Sequence, residues 1–287
     1  MTTKKIALDF TNIENNPVSL DKPIDNKLLR IDCWNDTKQI CETIPSPPIS
    51  IREHYHTEFL LPKTNKTSNI HIYDMDTIDC ALLFEKPLVL NLSDDEYAGG
   101  WVNMGSGAQE ESIFRRSNYF QTLTQNLYPI NDNECIYSPQ VSVIKSNENN
   151  NWKLYDNPIF LDFIACPAIK YPFLDENETL CEEDTELLEN KIKMIIQVAK
   201  KYNHKTIVFG AMGCGAWQNP PHHVATIFHK VLKEYDGIID NYIFAILRNY
   251  NNDDDDSENN YDIFRKVFHS EMCDDLDDLD DLDDLDE

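Results

Sequence analysis

The chain has 287 residues, 41% of them hydrophobic, and a formal net charge of −26. That length supports one large core or two small ones, and no apolar run reaches the roughly 18 residues that a membrane span requires. So acidic a surface repels nucleic acid and anionic lipid, so no DNA-binding or membrane role is expected and any anionic ligand must be gripped by a local device.

Residues 1–24 are polar and Asn-rich and read as a flexible arm. The opening MTTKKIALDFTNIENN has no apolar signal core, which predicts a cytoplasmic or nuclear location. LLRIDCWNDTKQICET (28–43) reads as a helix with Leu29, Cys33, Trp34 and Ile40 on one side, ended by the Pro-rich IPSPPISI. TSNIHIYDM predicts an edge strand, and DTIDCALLFE a short helix capped by Asp76 or Thr77. From there strands and helices alternate. PLVLNLS (87–93) is a buried strand. QEESIFRRSNYFQTLTQNL (109–127) is an amphipathic helix with Ile113, Phe114, Phe120, Leu123 and Leu127 on one face. Strands 135–145 and 157–168 flank a polar hairpin, and 183–203 is a long helix with acids early and lysines late. KTIVFGAMG ends a strand, 220–235 is a helix with proline in its first turn, and 241–249 is a strand. A polar linker, NNDDDDSENN, precedes a last helix at YDIFRKVFHSEM.

This order predicts an α/β fold, a three-layer α/β/α sandwich, over residues 25–272. Residues 273–287 form an acidic tail with leucines every third position, expected to be disordered and solubilising. Its ten acids are only part of the charge, since the rest still carries −16. The eight cysteines form no CxxC pair or zinc spacing, which predicts reduced thiols and no metal site.

Two stretches carry chemistry, and both directly follow predicted strands, where open α/β sheets bind ligands. AGGWVNMGSGAQEE holds Gly99, Gly100, Gly105 and Gly107, half the glycines of the chain, followed by Gln109, Glu110 and Glu111 at a helix start. Such density implies close approach of backbone to a ligand, or an unusual loop. Adjacent glutamates at a helix N-terminus also have a simple reading as dipole compensation. A helix N-terminus lowers a carboxyl pKa, whereas a general acid needs it raised, so apolar walls or the neighbouring acid must offset the dipole. The second stretch, GAMGCGAWQNPP, is neither a P-loop nor GxGxxG. Its glycines can still aim consecutive N–H groups at a phosphate beside a helix start, or merely form a tight turn. Cys214 reads as a small residue in that turn, His222 and His223 as solvent-facing, and Tyr119 and Phe120 as core. The ends of the 241–249 strand are candidates for an adenine pocket.

The segment VLNLSDDEYAGGWVNMGSGAQEESIFRRSNYFQTL resembles the signature of poly(ADP-ribose) glycohydrolases of the microbial type, built on a macrodomain: a glycine triplet followed after six to eight residues by Gln-Glu-Glu. IVFGAMGCGAWQNPPHHVATIF resembles the family's diphosphate loop and following helix, and the likeness spans roughly residues 28–249. It implies a macrodomain-like α/β/α fold with an N-terminal helical extension, acting as a monomer without cofactor. The implied substrate is poly(ADP-ribose) or ADP-ribosylated protein. Glu111 matches the catalytic acid and Glu110 the glutamate that holds ribose hydroxyls. Gln109 belongs to the same motif, and Asn91, Gly99 and Gly100 match positions around the distal ribose and diphosphate. Gly213, Cys214, Gly215 and Ala216 match the diphosphate loop, and Trp217 an aromatic packed on ribose. Two positions depart from the pattern: Trp101 replaces the third glycine, and Asp94 an expected asparagine. Arg115 or Arg116 could assist the phosphates, or pair with acids on the helix surface. A non-catalytic ADP-ribose reader, and a hydrolase that removes ADP-ribose from protein or nucleic acid, are the alternative functions.

Overall fold

The apolar runs in the middle of the chain assemble into one seven-stranded sheet. The structure, a computed structural model, describes residues 26–58, 64–248 and 258–277, the last eight as backbone only. The predicted arm and most of the acidic linker and tail lie outside the described residues. The strands are β1 (Ile51–His54), β2 (Asn69–Tyr73), β3 (Leu88–Asn91), β4 (Glu134–Lys145), β5 (Leu154–Ala165), β6 (Thr206–Phe209) and β7 (Asn241–Ala245). Their order is β1-β4-β5-β3-β6-β7-β2. From β5 to β2 every pairing is parallel, while β4 runs antiparallel to both β1 and β5.

Among the described residues the α-helices are α1 (Asn26–Cys41), α2 (Thr77–Ala81), α3 (Gln109–Arg116), α4 (Glu182–Lys201), α5 (Pro221–Glu234) and α6 (Asn260–Asp277). Side chains alternate across a strand, and β3, β6 and β7 each carry a run of three or four apolar residues because both faces are covered. Leu88, Leu90, Ile207, Phe209, Tyr242 and Phe244 enter one core with α4, α5 and α6. Val89, Val208, Ile243 and Ala245 enter a second core with Trp34 of α1, Ile78 of α2, and Ile113 and Phe114 of α3. The three-layer sandwich is therefore as expected. No helix among the described residues is long and apolar enough to cross a membrane.

Four local expectations need correction. The helix predicted over 109–127 stops at Arg116. Ser117 is extended (φ −147°), its hydroxyl bonds the Ile113 carbonyl at 2.7 Å, and Asn118 pairs with Ser142 of β4 at 3.1 and 2.8 Å. Pairing with the sheet thus replaces the next helical turn, and two 3₁₀ turns bring Tyr119 and Leu123 into the core. On α1, Leu29 is exposed, and the buried side is Cys33, Trp34, Thr37 and Cys41. β1 starts at Ile51, the last residue of the segment read as a helix terminator, and runs through residues 52–54, which carried no reading; its four residues are too few for period-two alternation to register. α6 also continues to Asp277, beyond the Cys273 boundary assigned to the tail.

Candidate active site

The two glycine-rich stretches leave neighbouring parallel strands, β3 and β6, at their carboxyl ends. They therefore share one edge of the sheet. Lys170, in the loop after β5, ties this edge together. Its ammonium lies 2.8 Å from Asp95 and 3.7 Å from Asp94 in the loop after β3, and 5.4 Å from the centre of the Trp217 ring in the loop after β6.

Glu110 and Glu111 occupy the first turn of α3, and both are buried. Glu110 is held at both oxygens. Oε1 accepts from Asn91 Nδ2 and Gly99 N at 3.2 Å each and from the Tyr128 hydroxyl at 3.4 Å; Oε2 accepts from Asp94 N at 2.8 Å. A carboxylate so engaged organises the loop, whereas the sequence resemblance gave it ribose hydroxyls to hold. Burial pushes its pKa up to about 8, against the lowering effect of the Asp94 N–H and the Asn91 amide, and nearby Glu111 adds to the rise. The folded state thus binds this proton more tightly than the unfolded chain does. The resulting stabilisation is complete below the ordinary carboxyl value and is lost as pH rises toward 8. Between about pH 5 and 8, urea titrations are expected to show wild-type stability falling relative to Glu110→Gln by about 1.4 kcal/mol per pH unit. Parallel curves for the two proteins would contradict the buried proton.

Glu111 is held on one side only. Oε1 accepts the Trp101 N–H at 3.0 Å, while Oε2 is buried with no hydrogen-bond partner. Gly100 makes this possible: its φ is +53°, and a Cβ there would stand 2.7 Å from Glu111 Oε1. Asn91 contributes a second unpartnered buried acceptor, its Oδ1. Gly99, at φ +75°, lies so close to the Phe114 ring that a Cβ would come within 2.4 Å. Gly105 and Gly107 serve a different purpose from the ligand approach that their clustering suggests. They lie against Lys27 and Arg30 of α1. Gln109, counted among the binding residues, is occupied within the protein. Its Oε1 accepts the Leu92 N–H at 2.8 Å, and its Nε2 donates to the Leu90 carbonyl at 2.7 Å and to Thr77 at 3.2 Å.

In the second loop, Gly215 and Ala216 are exposed, and their N–H groups make no hydrogen bond among the described residues. Nothing lies within 4 Å of the Cβ position at Gly215. Gly213, at φ +76°, takes the turn against Asn219. Asn219 staples the loop: its N–H reaches the Gly213 carbonyl at 3.0 Å, and its Nδ2 the Ile169 carbonyl at 2.7 Å. Cys214 points inward, with its thiol on the Met212 carbonyl at 3.6 Å and its pKa pushed up by burial, so it is no nucleophile near neutral pH. Trp217 is part-buried beneath Lys170. Among the described residues, no cluster of three or more His, Cys, Asp or Glu could hold a metal ion.

Arg115 and Arg116 are neither phosphate ligands nor surface residues. Both are buried; Arg115 reaches the Ser106 carbonyl at 2.6 Å, and Arg116 pairs with Asp76 and Asp79 of α2. Three contributors escape the sequence reading: Tyr128, Lys170 and Asn219. Only Asn219 carries a local signal, as an asparagine before two prolines at a helix start.

One edge of the sheet thus carries, after β3, a buried carboxyl with an unpartnered oxygen and, after β6, a loop whose Gly215 and Ala216 N–H groups are unpaired among the described residues; the α/β/α proteins that this chain matches are glycohydrolases. Residues 18–146 match the family model "Microbial-type PARG, catalytic domain", and that stretch belongs to the microbial-type poly(ADP-ribose) glycohydrolase family. The match includes the Gln-Glu-Glu helix and ends before the second loop. The chain is similar to poly(ADP-ribose) glycohydrolase from Thermomonospora curvata at 19% identity and TM-score 0.68, covering 83% of this chain and 99% of that one. The same enzyme bound to the inhibitor ADP-HPD gives 20% identity and TM-score 0.66, covering 83% and 98%. Poly(ADP-ribose) glycohydrolase from Deinococcus radiodurans in complex with ADP-ribose gives 25% identity and TM-score 0.60, covering 71% of this chain and 86% of that one. No curated protein matches the sequence.

Proposed function

We propose that this poly(ADP-ribose) glycohydrolase cleaves the ribose–ribose O-glycosidic bond with Glu111 as its one principal acid/base. The observation that carries the reading is the asymmetry of the two carboxylates. Glu110 is engaged at both oxygens, whereas Glu111 keeps a buried Oε2 with no partner. In this reading Oε2 delivers a proton to the departing ribose oxygen as positive charge develops at C1 of the other ribose. The carboxylate left behind is steadied by the Trp101 N–H and then takes a proton from the incoming water. Neighbouring glutamates on one helical turn cannot stand on opposite faces of a sugar, so the opposed pair of ordinary glycosidases is not available here. Glu110 acts as a positioning residue, holding Asn91 and the 94–99 segment against α3. The Asn91 Oδ1 is free to accept from a ribose hydroxyl. The N–H groups of Gly215 and Ala216 hold the diphosphate, and Trp217 covers the sugar beside them. A protein of net charge −26 thereby binds an anion through main-chain dipoles.

Incubation of the purified chain with poly(ADP-ribose) is expected to release free ADP-ribose. Tight ADP-ribose binding without release would instead identify a reader.

A further inference from the structure

The outer rim of the first glycine-rich loop carries large apolar side chains in water: Tyr97, Trp101 and Met104 are 51%, 61% and 55% exposed. The rings of Tyr97 and Trp101 lie 6.0 Å apart between centroids, inclined by 47°. The main chain beneath them is fixed. Asp94 Oδ1 accepts the N–H groups of Glu96 and Tyr97 at 2.8 Å each, and the Tyr97 carbonyl takes the Gly100 N–H at 3.0 Å. The Trp101 carbonyl takes the Met104 N–H at 2.9 Å, and adjacent Val102 is anchored in the core. Neither ring contributes to that core, so their exposure calls for another partner.

The position of Trp101 identifies that partner. Its N–H is bonded to Glu111 Oε1, so the residue that carries the exposed indole is in direct contact with the proposed acid. A polymer cut at Glu111 must leave the cleft past this rim. Beside it Asp95 is paired with Lys170 and Glu96 adds negative charge, which disfavours phosphate, whereas an aromatic base stacks on rings irrespective of local charge. We propose that Tyr97 and Trp101 form a stacking platform for the adenine of the ADP-ribose unit next to the one held in the cleft. This inference rests on the polymer-hydrolase reading, and it assigns a chain-length-sensing role to the residue that interrupts the glycine triplet.

The test is titration calorimetry on Glu111→Gln, which keeps substrate intact, with ADP-ribose and with a defined ADP-ribose dimer. The dimer is expected to bind roughly ten- to a hundredfold more tightly than the monomer. Adding Trp101→Ala should abolish that preference, Trp101→Phe should retain most of it, and Tyr97→Ala should lose part. Thermal melts identify any variant that has unfolded, in which case Trp101→Phe and Tyr97→Ala decide. Equal binding of monomer and dimer, or a preference that survives Trp101→Ala, overturns the platform. Should the wild-type chain fail to cleave polymer while the dimer preference still depends on Trp101, the hydrolase reading falls and the platform stands.

Discussion

Glu111→Gln is expected to lower polymer hydrolysis by about 10²–10⁴-fold while leaving ADP-ribose affinity within about threefold. The amide matches the carboxyl in size and keeps an oxygen to accept the Trp101 N–H, so the loop over it need not move. What it lacks is a proton that can be delivered to a leaving oxygen and recovered from water. The loss should therefore fall on kcat, since the interaction removed exists only in the transition state. Glu110→Gln should behave differently. The donors around Glu110 are the Asn91 amide, two main-chain N–H groups and the Tyr128 hydroxyl. Below about pH 8 the protonated Glu110 already sets one O–H among these donors; a glutamine sets two N–H bonds there, which cannot both turn away from the N–H donors as a single O–H can, so the loop is disturbed and KM and kcat shift together. Single-turnover measurements on the two variants separate these roles. Full turnover by Glu111→Gln would remove the acid/base assignment altogether.

The difference in legibility between fold and site follows from the range of the interactions. β3 and β6 read as buried strands because all four residues of each are covered, so hydrophobicity alone reports them. α4 declares itself by charge, with Glu182, Glu183 and Asp184 at its start and Lys200 and Lys201 at its end. The pattern over 109–127 overshot because periodicity cannot register that Asn118 has a better partner in Ser142, 24 positions away. The same limit applies in the site. Glu110 and Glu111 are conspicuous in the sequence as a dipeptide, but their inequality is set by Tyr128, Asp94 and Trp101 arriving from separate turns. Gln109 shares the motif with them yet points to Leu90, Leu92 and Thr77, because successive residues on a helix are turned by about 100°. Lys170 lies 75 positions from Asp95 and has no motif to mark it.

Arg116→Met is expected to destabilise the fold by about 3 kcal/mol, in the range for a buried ion pair broken on one side. The guanidinium is fully buried between α2, α3 and β4. Nη1 lies 2.5 Å from Asp76, Nη2 2.6 Å from Asp79, and Nε donates to the Lys145 carbonyl at 3.1 Å. Burial works against its charge, but the two aspartates more than offset this and hold its pKa above the ordinary arginine value. Methionine fills much of the volume and leaves two carboxylates facing each other without a cation. Asp76 also caps α2, accepting the N–H groups of Ile78 and Asp79 at 2.9 and 3.1 Å, so its repulsion from Asp79 strains that helix start. Asp79→Asn in the Arg116→Met background should recover about 1 kcal/mol by removing one of the opposed charges. Urea unfolding at pH 7 measures both effects. A loss below about 1 kcal/mol, the size of an exposed pair, would mean that water reaches the aspartates well enough to replace the arginine. Because Arg116 closes the short helix that opens with Glu110 and Glu111, the ion pair also bears on catalysis. Arg116→Met should lower polymer turnover at temperatures where the protein is still folded, and Arg116→Lys, a single point charge in place of a fork, should restore only part of it.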